Sequence, residues 1–274
     1  MSDDDSSPAR GVPADTFWQR GAFTDEQLAG GLVRGAVAGP VVSHDRRNVL
    51  WKIERLVEGD PDLQFGLSGV DSLSTERVLE LMAEAAGFNP DPMVTDGPVG
   101  VDPLCVLPAL ADAGDRLALA SSRGETVLLA TGHPVGLIML YRSVGELLGE
   151  RGAKLVHPRD GFSWHEGMSR REIHYLGDVA VFCDRKSPIH THSPVPMQRM
   201  LEELTPDLVF ADHGFAGAAI EAGVETISIA DVNDPAPVVA REQGRTRIII
   251  VMDDNVSPSD YWPCFQAIAA RFPL

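Results

Sequence analysis

The sequence predicts an α/β fold: a three-layer, Rossmann-like domain with a mostly parallel sheet, preceded by a helical N-terminal segment. Up to about residue 123 apolar residues recur three and four apart, the helical period. Beyond that point short runs rich in Val and Ile alternate with helical segments, as in βαβ units. Length agrees, since 274 residues at 44% hydrophobic suffice for one large domain with an extension. The expected division is a disordered tail over 1–15, a helical segment over 16–123 packed on the core, and an α/β domain over 124–274 that carries the chemistry.

Taken in order, "MSDDDSSPARGVPAD" is acidic, contains Pro and Ser, and lacks the apolar stretch of a signal peptide. Helices follow in "DEQLAGGLVRGAVAG", "DRRNVLWKIERLVEG", "STERVLELMAEAAGF" and "DPLCVLPALADAG", with Asp25, Asp45, Ser74 and Asp102 placed to cap them. Between the second and third, "DLQFGLSGV" reads as a short strand or an extended connector. Strands are expected at "TVLLA", "AKLVHP", "DVAVFCD", "DLVFAD", "TISIAD" and "RIIIVMD", and helices at about 135–151, 196–204, 215–221, 236–242 and 261–271. The polar stretch 159–175 reads as a loop with one antiparallel strand at "EIHYL".

Charge narrows the function. A formal net charge of −17 argues against a nucleic-acid or anionic-membrane surface, both of which require a basic face. Three cysteines without a CxxC spacing fit a reducing compartment. No apolar run approaches the roughly 18 residues a membrane helix needs. The expectation is a soluble cytoplasmic protein, with a homo-oligomer left open.

The strands close on His133, His157, Asp184, Asp212 with His213, Asp231, and Asp253 with Asp254. In a parallel sheet these ends share one edge, where α/β proteins bind ligands. In "IHTHSP", His190 and His192 stand two apart, so on an extended segment both face one way and could share a metal. Imidazole with carboxylate suits Zn, Mn, Fe or Ni more than Ca or Mg. Gly214 and Gly217 in "DHGFAG" permit close backbone approach. Arg185 and Lys186 follow a strand end and could balance an anion. For Asp234 alone the plainer reading, an N-cap ahead of Pro235, is favoured. GxGxxG, GxxxxGKS and GxSxG are all absent.

As an ordered set, "LLATGHP", "HTHSPVPM", "DLVFADHGFAGAAIEAGV", "IADVNDPA" and "MDDNVSPSDYWP" resemble an actinobacterial family known simply as phosphatases. The match runs over about 127–263, and "RRNVLWKI", "FGLSG" and "VLELMAEAAGFNPDP" fit its helical lead-in. "HDRRNVL" departs from the family's pattern and keeps only Asn48. The resemblance implies hydrolysis of a phosphomonoester, with a small phosphorylated metabolite as partner.

With the strand-end pattern, it assigns His133, His213, Asp212 and Asp254 to catalysis. Gly132, Gly214, Arg185, Lys186, Asn233 and Asn255 are assigned to substrate binding, and His190, His192, Asp212, Asp231 and Asp253 to a divalent ion, Mg, Mn or Zn. Bound metal would make water acidic enough to ionise near neutral pH. Two other classes stay open: a metal-dependent sugar isomerase or deacetylase, and a non-catalytic binder of a phosphorylated metabolite.

Overall fold

The computed structural model describes residues 18–273; the tail expected over 1–15 lies outside them. Five helices come first: α1 (Asp25–Arg34), α2 (Arg46–Val57), α3 (Pro61–Gln64), α4 (Thr75–Ala86) and α5 (Pro103–Arg123). The side chains of Asp45, Ser74 and Asp102 cap α2, α4 and α5 by accepting from the N–H groups of Asn48, Arg77 and Leu104. Asp25 does not cap α1. Thr24 does, in a capping box with Gln27, and Asp25 lies in the first turn. In "DLQFGLSGV" the chain forms α3 and then a turn rather than a strand, because Asp60 and Pro61 together start a helix. Helix α5 continues past Gly114 to Arg123 and stops where Gly124 takes a left-handed conformation.

The remaining elements are β1 (Thr126–Thr131), α6 (Ile138–Glu150), β2 (Lys154–Leu155), β3 (Ser163–Glu166), β4 (Ser169–Leu176), β5 (Val179–Asp184), β6 (Ser187–Pro188), α7 (Val195–Leu201), β7 (Leu208–Asp212), α8 (His213–Glu221), β8 (Thr226–Ala230), α9 (Pro235–Glu242), β9 (Ile248–Val251) and α10 (Trp262–Ala269). They build one mixed sheet in the order β3-β4-β5-β1-β7-β8-β9, with β2 on β1 and β6 on β5. Strands β5, β1, β7, β8 and β9 are mutually parallel. The expected loop over 159–175 contributes β3 as well as β4, an antiparallel pair continued onto β5.

Alternate residues of the central strands enter different apolar clusters. Val127, Leu129, Phe210, Ile227 and Ile229 join a core that includes residues of α1, α2, α4 and α5. Leu128, Ala130, Val209 and Ala211 pack with Met197, Met200 and Phe215. The central strands are therefore buried on both faces, as expected of near-continuous apolar strands. Strand β1 has β5 on one side and β7 on the other, so the connections leave it in opposite directions. The crevice beyond the carboxyl ends of β1 and β7 is where such a sheet binds ligands.

Candidate functional site

That crevice holds a cavity of about 530 Å³. Its floor is built from strand ends: His133 after β1, His213 at the junction of β7 and α8, Asp231, Asn233 and Asp234 after β8, and Asp254 after β9. The β5–β6 hairpin leads into the extended segment carrying His190 and His192. Both line the cavity, with ring centroids 5.0 Å apart. The opposite wall comes from the helical segment, through His44 and Lys52.

His213 is the hub. Its backbone is left-handed (φ 45°), an uncommon state for a residue with a Cβ, held here by surrounding structure. Nδ1 lies 3.1 Å from Asp212 Oδ1 and 3.2 Å from His133 Nδ1, while Nε2 lies 3.2 Å from Asp234 Oδ2 and 3.6 Å from Asp254 Oδ2. Burial pulls its pKa down, but the hydrogen bonds to Asp212 and Asp234 win and hold it well above the usual imidazole value. Its positive charge then acts on its neighbours. Burial first, and His213 second, drive His133 down to about 3 and His190 down to about 4, so both stand neutral at physiological pH.

The carboxylates divide by role. Asp212 is fully buried and does not line the cavity; its oxygens accept from the Thr131 hydroxyl at 2.6 Å and the Gly132 N–H at 2.5 Å, besides facing His213. It holds the hub from behind. Asp253 likewise accepts from the Ser43 N–H (2.6 Å) and the Asn255 N–H (2.9 Å), tying the approach to α2 onto the end of β9. Asp231 faces His44 at 3.0 Å and accepts from the Val232 N–H. Asp254 differs: its Oδ2 is buried without a hydrogen-bond donor, 3.4 Å from His133 Nδ1. Burial, with Asp231 adding repulsion, holds its carboxyl well above the usual carboxylate range. An orphaned buried oxygen among imidazoles is what a cation would satisfy.

Two overlapping sets have ligand atoms close enough to hold a metal ion: His133, His190 and His213, and His213, Asp234 and Asp254. Asp212 behind His213 matches the carboxylate–histidine support usual for metal ligands. A family model described as Phosphatase matches residues 23–273. The chain belongs to the Phosphatase family. A relative in Streptomyces coelicolor, named Phosphatase SCO2771, is 38% identical over 245 residues, spanning 86% of this chain and 92% of that protein.

Within this Phosphatase family member several assigned residues stand elsewhere than the sequence suggests. His192 joins neither ligand set; its ring stacks on His213 and Nδ1 faces Asp62 at 3.3 Å. Asp212 and Asp253, assigned to metal, have their oxygens turned to backbone, hydroxyl and imidazole partners behind the cavity. Gly132 and Gly214 are packed closely against backbone: a Cβ on Gly132 would lie 2.5 Å from the Thr191 carbonyl oxygen, and one on Gly214 would overlap the His192 and Ser193 carbonyls. Asn233 and Asn255 do line the cavity.

Arg185 and Lys186 form the exposed two-residue tip of the β5–β6 hairpin, both at positive φ as such a turn requires, and neither lines the cavity. Replacing both by alanine should leave KM for any substrate within about twofold of wild type, as for surface changes worth under ~0.5 kcal/mol. A large rise in KM would return them to the site.

Asp234, read as a plain cap, makes no side-chain capping bond and instead joins His213 to Lys52. His44 and Lys52 were missed by sequence reasoning. Part of the signal was there: Asn48 and Lys52 stand four apart on one face of α2, while His44 lies just ahead of its cap, Asp45.

Proposed function

We propose that the chain is a phosphomonoester hydrolase acting on a small phosphorylated metabolite through metal-activated water, on a three-layer, Rossmann-like sheet. The observation that carries the metal reading is the buried, donorless Oδ2 of Asp254 beside His133, His213 and Asp234. His213 would give up its Nε2 proton to join Asp234 and Asp254 in holding the ion, with His133 and His190 adjoining. A divalent cation there supplies charge for phosphoryl oxygens and acidifies water.

The chain's own groups supply the rest. His133, held neutral at physiological pH by burial and by His213, can orient the attacking water through a ring nitrogen. His44, whose pKa is raised mainly by its hydrogen bond to Asp231, can give one to a leaving alkoxide. A cavity of about 530 Å³ suits a small molecule. The −17 charge disfavours polyanionic substrates. Free cysteines at 105, 183 and 264 support a cytoplasmic reading, and among the described residues no helix is long and apolar enough to cross a membrane.

Metal analysis of the purified protein, followed by phosphate release from a panel of small phosphomonoesters, tests the reading. A chelator should reduce release at least ~100-fold, and added divalent metal should restore it. Release that survives complete metal removal would transfer water activation to His133 or His213. No turnover with any divalent metal would favour the isomerase or deacetylase class.

A further inference from the structure

The cavity is lined by Asp231, Asp234 and Asp254 and by several imidazoles, yet a phosphate dianion must be drawn into it. Among the described residues lining it, Lys52 alone carries a permanent positive charge. Its side chain is 15% exposed, so most of its length is packed and its head is confined. Nζ donates to Asp234 Oδ1 at 2.9 Å and to Asn233 Oδ1 at 3.2 Å. Asn233 is itself oriented, because its amide N–H donates to Asn48 Oδ1 at 2.7 Å. An ammonium has three protons to donate. Two are placed by these bonds, which leaves one for an acceptor in the cavity.

We propose that Lys52, carried in by the helix that precedes the sheet, anchors the phosphate of the substrate, with Asn48 and Asn233 as its positioning residues. This rests on the reading of the ligand as a phosphomonoester, but on neither the metal nor the hydrolytic step. Asp234, 2.9 Å from Nζ, gives the confined ammonium an ion-pair partner. A compact point charge on a flexible stem is a common phosphate ligand. The two lobes of the cavity then have distinct tasks. Strand ends supply imidazoles and carboxylates, and α2 supplies an ammonium that matches the incoming anion.

The chain has three lysines, Lys52, Lys154 and Lys186, which makes amine labelling a direct test. The intact protein is acylated with and without inorganic phosphate, and each lysine is quantified by mass spectrometry. Phosphate should protect Lys52 several-fold and leave Lys154 and Lys186 unchanged. Labelling of Lys52 that does not respond to phosphate, or protection of Lys186 instead, overturns the proposal.

In parallel, Lys52→Met should raise KM and weaken inhibition by inorganic phosphate by ~10- to 100-fold, with a smaller change in kcat, as for a lost charge-assisted hydrogen bond. Wild-type values for both would also overturn it. The variant leaves Asp234 buried beside fewer cations and can fail to fold; the labelling of the unmodified protein then decides alone. Protection of Lys52 without phosphate release would uphold the anchor and reject hydrolysis. Release with Lys52 unprotected would do the reverse.

Discussion

Replacing Asp254 by asparagine should cut turnover at least ~100-fold while making the metal-free protein more stable. The two effects share one cause. Asp254 Oδ2 is buried with no donor, and its carboxyl is held well above the usual range by burial and by Asp231. Such a group costs the fold ~1–3 kcal/mol, and a neutral amide of the same shape removes the charge. A gain of ~1–2 kcal/mol corresponds to a rise of roughly 2–8 °C in melting temperature for a chain of this size.

The pH dependence follows from the direction of the shift. Because the folded pKa lies above the unfolded one, the contribution of Asp254 is fully present below about pH 4 and is lost as pH rises toward the folded value. The advantage of the Asp254→Asn variant should therefore be small near pH 4 and grow toward pH 8. Melting curves of both proteins in chelator across that range check it. An asparagine variant less stable than wild type at pH 8 would mean that Asp254 has a donor after all.

Gly214→Ala should destabilise by ~3 kcal/mol or more and take activity with it. The added methyl would run into the His192 and Ser193 carbonyl groups, and backbone cannot swing aside as a side-chain tip can. Relief requires α8 to move off the segment after His190, and α8 begins with His213. Urea titration reads the loss in stability, and residual turnover of the folded fraction reads the displacement of the hub. Wild-type stability would show that helix and segment are not in contact at this point.

The sheet was readable because β1, β7, β8 and β9 are short, mainly apolar runs, buried on both faces and followed closely by acids or histidine. A parallel arrangement then dictates that those ends meet, so the floor of the cavity came with the fold class. Strand β3 was not readable: Ser163–Glu166 is largely exposed and lacks the apolar alternation that marks a strand. That Arg185 and Lys186 form a hairpin tip was not readable, since neither is glycine and consecutive positive φ values leave no trace in such residues. Asp234 was obscured by Pro235, whose presence makes capping the ordinary reading. Lys52 belongs to a helix, and His44 stands just ahead of its cap; the helical pattern reports the buried side, Val49, Ile53 and Leu56, and says nothing about what the polar side will meet.

The contact of Lys52 with Asp234 spans 182 positions of sequence. Neither partner is comfortable without the other: one is a mostly buried ammonium, the other a carboxylate with almost no access to water. Heredity must therefore treat α2 and the β8–α9 turn as one unit. A chimera that takes its lead-in from one relative and its sheet from another inherits a working pocket only when the two ends of this pair arrive together. For anyone trimming the chain to a minimal sheet domain, the first casualty is not the fold's outer layer but the charge balance at its centre.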